Sequence, residues 1–299
     1  MFSNLWFAGD SLYAVDGGSF AQMRLRRFDK NTGALLANVK HSRNVRDVLL
    51  KDGELVVLCD RGIDIYDNDS LELRTRWDRH RLPVYANHVL PLGASFAIAN
   101  VDALTVFHPG SGKRSRWKFD DAICVAGNGA SVLIATVGGK IFYLADAGSK
   151  LEQTGETRCV DHIAVDDSGY LVFSTTLRRG RVLAENVSKL ETPLADVDVC
   201  RFSFDGKHID TTPLGATFWL KDSCYSPQRR LLFVREVNAN PELRFSYKVL
   251  DTSARQWRGT IDVPAGYFAR CIDSSGSLLA LERPRDDGRE IVVARLLEP

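Results

Sequence analysis

The stretch from Leu50 to Asp78, "LKDGELVVLCDRGIDIYDNDSLELRTRWD", decides the fold. A tight turn at Gly53 stands between apolar runs, and a second turn follows Tyr66 before a strand that ends in Trp77. Two turns per unit, each between short strands, make four strands. The same first turn returns in "AGDSLYAV", "LGASFAIA", "GNGASVLIA", "DDSGYLVFS", "SPQRRLLFV" and "DSSGSLLAL", with turn residues near Asp10, Ala94, Ala130, Gly169, Arg229 and Gly276. The second returns in "FDKNTGALL" from Phe28, "FHPGSGKR" from Phe107, "LADAGSKL" from Leu144, "LAENVSKL" from Leu183 and "LDTSARQW" from Leu250. The repeat is about 40 residues long. It predicts an all-β, seven-bladed β-propeller of four-stranded antiparallel blades, with eight blades as the alternative.

The blades are expected near 4–40, 45–78, 86–119, 122–154, 158–194, 197–263 and 266–299, as one domain over 1–299. The sixth unit breaks the period. It contains "RFSFDGKHIDTTPLGATFWLKD", an inserted hairpin or stripped extra blade at about 197–222 with its turn at Asp205-Gly206. The last unit is one strand short, so either Met1 to Trp6 supplies the missing strand or the last blade has three. Open edges invite association, which makes closure a physical requirement.

"FSFDGKHI" (Phe202 to Ile209) and "YSPQRRLL" (Tyr225 to Leu232) are similar to the first hairpin of WD40 and related propellers. "FDKNTGALL" and "YDNDSLELRTRW" resemble the second turn of quinoprotein-like propellers. These phrases imply the fold and encode turn geometry rather than chemistry. The chain departs from strict WD40 repeats: no Gly-His pair opens a unit, and Trp77-Asp78 falls on the outer strand.

Composition narrows the function classes. A formal net charge of +1 argues against a nucleic-acid reader driven by bulk electrostatics. The sequence offers no membrane span and no secretory leader, and its six cysteines lack any C-x-x-C pair, which points to thiols in a reducing, cytoplasmic compartment. No G-x-S-x-G, H-E-x-x-H or Walker-type loop occurs. His88 and His162, near the starts of innermost strands with Asp47 and Asp161 nearby, are the one pairing suited to a metal or acid–base site. Two histidines are too few to assign one, so no catalytic, metal or cofactor residues are assigned and no cofactor is expected.

Two features point to a partner instead. Arg74, Arg76 and Trp77 recur as Arg114, Arg116 and Trp117, and loosely as Arg255, Trp257 and Arg258, always on a fourth strand. Alternation puts the arginines on one face and the tryptophan on the other. Arg178, Arg179 and Arg181 cluster in a turn, and Phe204, Phe218 and Trp219 decorate the irregular unit. These six are the expected partner-binding residues, and the expected function is a non-enzymatic protein-interaction or scaffold module. The competing class is a metal-dependent hydrolase or lactonase-type propeller with its site at the channel mouth.

Overall fold

The computed structural model describes residues 5–16, 23–60, 62–78, 86–166, 168–177, 195–217, 224–226, 228–237, 245–264, 266–273, 275–285 and 288–296. The chain is all β: seven antiparallel sheets follow one another in sequence order, the blade succession of a seven-bladed β-propeller. The first sheet holds β1 (Leu5–Ala8), β2 (Ser11–Asp16), β3 (Arg24–Asp29) and β4 (Leu35–Lys40). The second holds β5 (Val45–Lys51), β6 (Glu54–Cys59), β7 (Gly62–Asp67) and β8 (Leu73–Asp78). The third holds β9 (His88–Leu92), β10 (Ser95–Ala99), β11 (Ala103–Phe107) and β12 (Arg114–Lys118), and the fourth β13 (Ile123–Gly127), β14 (Val132–Thr136), β15 (Lys140–Leu144) and β16 (Glu152–Glu156). The fifth holds β17 (Cys159–Asp166), β18 (Gly169–Leu177), β19 (Ala195–Phe202) and β20 (His208–Thr217). The sixth holds β21 (Cys224–Ser226), β22 (Leu231–Val237), β23 (Phe245–Asp251) and β24 (Gln256–Asp262), and the seventh β25 (Phe268–Ile272), β26 (Leu278–Arg285) and β27 (Gly288–Arg295). Among the described residues, no helix is long and apolar enough to cross a membrane.

Two boundaries differ from the sequence reading. The Asp205-Gly206 hairpin is the outer half of the fifth sheet rather than an insertion in the sixth: β19 pairs with β18 from Tyr170↔Phe202 to Leu177↔Ala195, and β20 pairs with β19. The long spacing arises because β18 ends at Leu177 and β19 begins at Ala195; the second turn expected from Leu183 lies outside the described residues. The fifth sheet therefore spans 159–217 and the sixth 224–262. Leu5 to Phe7 belong to the first sheet, where β1 pairs with β2, and not to the last. The last sheet has three strands among the described residues.

The residues group into two compact units, Met1–Val132 with Leu144–Leu151 and Leu133–Tyr143 with Glu152–Pro299. Within the first, leading strands stand side by side, β1 with β5, β5 with β9 and β9 with β13. In the second, β21 stands beside β25.

The apolar runs explain this arrangement. Along β6, Leu55 and Val57 pack with Tyr13 and Leu25 of the first sheet, while Val56 and Leu58 pack with Phe96 and Ile98 of the third. A strand covered on both faces needs an unbroken apolar run, because successive side chains point to opposite sides. Each such burial contributes roughly 1.5–3 kcal/mol.

The second turn is built by an aspartate. The Asp67 carboxylate accepts the Asp69 and Ser70 N–H groups at 3.0 and 2.9 Å and the Ser70 hydroxyl at 3.0 Å, which holds its pKa down at about 2. Asp29 accepts Asn31 N, Thr32 N and Thr32 Oγ1 in the same way, and Asp251 accepts Ser253 N and Ala254 N. Side chains that satisfy turn N–H groups are why "FD", "YD" and "LD" recur in register.

Candidate interaction surface

The outer strands carry the charged motif, and sheets two and three use it differently. In sheet two, Asp64 on β7 lies opposite Arg76 on β8 and is fully buried. Arg76 Nε and Nη2 donate to its two oxygens at 2.9 and 3.0 Å, and Arg43 Nη1 approaches at 3.4 Å while its Nη2 reaches Asp78 at 2.6 Å. The carboxylate raises the pKa of Arg76 through those hydrogen bonds. Arg74 is paired with Glu54 at 3.3 Å and with Asp67. These arginines are therefore neutralised inside their own sheet.

Sheet three repeats the motif with Thr105 in the place that Asp64 holds in sheet two. Arg114, Arg116 and Lys118 stand opposite Phe107, Thr105 and Ala103, and all three cations are exposed. The tryptophans take the other face, as alternation requires. Trp77 lies against Phe107 and Phe96 of sheet three, with ring centroids 4.9 and 6.0 Å away. Beside it, Lys51, Glu54, Thr75, Trp77 and Phe96 line a groove of about 260 Å³. Lys51 already occupies part of it, donating to the Gly93 carbonyl at 2.6 Å with its ammonium 4.9 Å from the Phe96 ring centre.

The two histidines of the candidate metal pairing, His88 and His162, belong to different compact units. His88 begins β9 and is exposed, with Nδ1 3.8 Å from an Asp47 oxygen. Asp47 accepts the Val48 and Val89 N–H groups, both at 2.9 Å, so it ties β5 to β9; burial raises its pKa. His162, on β17 in the other unit, lies against Phe173. The Asp161 side chain is outside the described part of the chain.

Sequence reasoning missed a different group. His41, Cys59 and Asp64 bring potential ligand atoms within 4.8 Å of one another, all buried. His41 Nδ1 meets the Tyr66 hydroxyl at 2.8 Å and Nε2 meets the Cys59 sulfur at 3.6 Å. Burial lowers the pKa of His41 and raises that of the Cys59 thiol. With a reluctant thiol and two guanidiniums on the carboxylate, this cluster suits a neutral hydrogen-bonded brace better than a dication. The signal was local: "HSR" at 41–43 precedes β5, and only pairing with Asp64 reveals its use.

Of the six expected partner-binding residues, Phe204 is partly buried, its ring edge-on to Tyr170 at 5.6 Å, where it supports sheet five. Arg178, Arg179, Arg181, Phe218 and Trp219 lie outside the described residues. Arg255 bonds Asp210 and Thr212 at 2.8 and 2.6 Å, and Arg258 pairs with Asp251.

No protein-family model matches the chain, and no curated protein matches it. Solved structures do. The WD40 domain of Toxoplasma gondii coronin is similar over 98% of this chain and 83% of its own, at 9% identity and a TM-score of 0.62. Kuenenia stuttgartiensis hydrazine synthase is similar over 96% of this chain and 93% of its own, at 11% identity and a TM-score of 0.62. BamB from Moraxella catarrhalis is similar over 96% and 80%, at 12% identity and a TM-score of 0.53. At such identities the likeness is one of fold. The chain has the seven-bladed β-propeller fold shared by WD40 and quinoprotein-like proteins.

Proposed function

We propose that this chain is a non-enzymatic propeller that binds another protein and holds it within a larger, cytoplasmic complex, with its seven sheets acting as one domain. The observation that carries this reading is the connection 178–194. Sheets need only short turns, yet β18 and β19 are joined by a segment far longer than the scaffold requires, and it opens with Arg178, Arg179 and Arg181. Connections of this length inside a compact fold usually serve function. Phe218 and Trp219 follow β20 in the next connection, at residues 218–223. Aromatic and arginine side chains dominate binding energy at protein interfaces, so these five residues are the proposed contacts. The unbridged thiols of Cys59, Cys124, Cys159, Cys200 and Cys271 suit a reducing compartment.

The test pairs affinity capture from the protein's own cell extract with native mass, melting and elemental analysis. A stoichiometric protein partner, lost on Arg178/Arg179/Arg181→Ala or Phe218/Trp219→Ala while a single melting transition is retained, is the expected result. A stoichiometric divalent ion with no retained partner would overturn the reading in favour of a hydrolase.

A further inference from the structure

The outer edge of sheet three differs from that of sheet two in one decisive respect: Arg116 and Lys118 face Thr105 and Ala103, not a carboxylate, across the strand pair. The side chains of Arg116 and Lys118 have no ion-pair or hydrogen-bond partner among the described residues, and the residue opposite Arg116 is Thr105, whose buried hydroxyl is itself unpartnered. The nearest carboxylates in sequence, Asp102, Asp120 and Asp121, sit in turns beyond the Lys118 end of the row, and Asp121 caps Ala122 N at 2.8 Å. Among the described residues, β12 has β11 as its only strand neighbour, so its far side carries no strand pairing for its peptide N–H and C=O groups.

We propose that β12 is the docking edge for an acidic, extended segment of a partner protein, which adds to sheet three as a fifth strand. The proposal rests on the interaction-module reading and names the chemistry of one partner element. Arg114, Arg116 and Lys118 alternate along the strand, so their stems are roughly 7 Å apart. Acidic residues at every second position of an added strand have the same repeat. Main-chain hydrogen bonds then supply affinity, and guanidinium–carboxylate forks supply selection. The same charges repel a second copy of β12, which keeps the edge from pairing with itself while leaving it open to an acidic strand. A polypeptide is favoured over a nucleic acid because only a polypeptide uses the open backbone edge, and because the chain's net charge is only +1.

The experiment measures binding of three probes by fluorescence anisotropy at low and high salt: a synthetic peptide alternating Glu and Thr, its Lys–Thr counterpart, and a uridine oligonucleotide of equal charge to the first. Backbone amide exchange over 114–118 is followed in parallel. Arg116→Glu with Lys118→Glu is compared with Lys140→Glu with Lys207→Glu, which makes the same charge change on other sheets. The acidic peptide is expected to bind, to slow exchange at 114–118, and to lose about tenfold or more in affinity in the β12 variant only. Equal weakening in both variants, no acidic-peptide binding, or protection of 114–118 by the oligonucleotide instead would overturn the proposal. Capture from extract separates this failure from that of the wider reading. A partner retained equally by the wild type and the β12 variant leaves the module standing and removes β12 from it; a wild type that retains no stoichiometric partner removes the module itself.

Discussion

Sheets two and three carry the same outer-strand motif, "RTRW" and "RSRW", on the same kind of edge, and differ in the residue that faces its second arginine. In sheet two that residue is Asp64, buried and held by Arg76 and Arg43. In sheet three it is Thr105. One position, read across the strand pair rather than along the chain, decides whether an identical cation is a structural brace or a free surface charge. Its energetic weight follows from burial: an enclosed carboxylate that loses its guanidinium is expensive, whereas an exposed guanidinium that loses nothing is nearly neutral.

The contrast can be broken most severely at its centre. Asp64→Ala strands Arg43 and Arg76 around a space left in the sheet, and should cost about 3–5 kcal/mol in denaturant unfolding; Thr105→Ala, which removes a hydroxyl with no partner, should cost under about 1 kcal/mol. A loss at Thr105 as large as that at Asp64 would show that sheet three is braced by other means. The tryptophan face comes next. Trp77→Ala removes the ring from Phe96 and Phe107 and, because Trp77 is only half-buried, should cost about 2–3 kcal/mol.

The smallest effect concerns pH and sharpens the role of the sheet-two brace. Burial holds the pKa of His41 below its ordinary value of 6.5, so the unfolded chain binds more protons than the folded one in the interval beneath that value. His41 therefore contributes stability at neutral pH that is lost as the pH falls below its ordinary value of 6.5. His41→Gln should melt lower than the wild type at neutral pH and show a flatter melting profile across this window. An unchanged slope in that variant would assign the pH dependence to another group.

The fold was legible because turn chemistry is local. Asp67 with Ser70, Asp29 with Thr32 and the Gly53 and Gly276 turns write their geometry into adjacent residues, and the runs on β6 and β10 show burial on both faces. What sequence reading lost was non-local. Residues 178–194 lengthen the spacing between β18 and β19 and so break the period; the turn read at Leu183 lies outside the described residues, while the hairpin between β19 and β20 turns at Asp205-Gly206. Pairing of Phe202 with Tyr170 is a fact of register across that gap and has no trace in either segment. The interaction surface was half legible for the same reason. The arginine–tryptophan repeat and its two faces follow from alternation, but the acids that neutralise it in sheet two come from β6 and β7. His41, Cys59 and Asp64 meet only through the pairing of those strands, which spacing alone does not reveal.

The second arginine of the motif is closed onto Asp64 in sheet two and faces only Thr105 in sheet three, and a pair of melts distinguishes the two positions. Arg76→Ala and Arg116→Ala remove the same side chain from equivalent edge positions in one unit. Arg76→Ala should lose about 2–4 kcal/mol of stability, since among the described residues Asp64 then keeps only the longer Arg43 contact, and Arg116→Ala should change stability by no more than about 0.5 kcal/mol. Equal losses, or a larger loss at Arg116, would contradict this contrast.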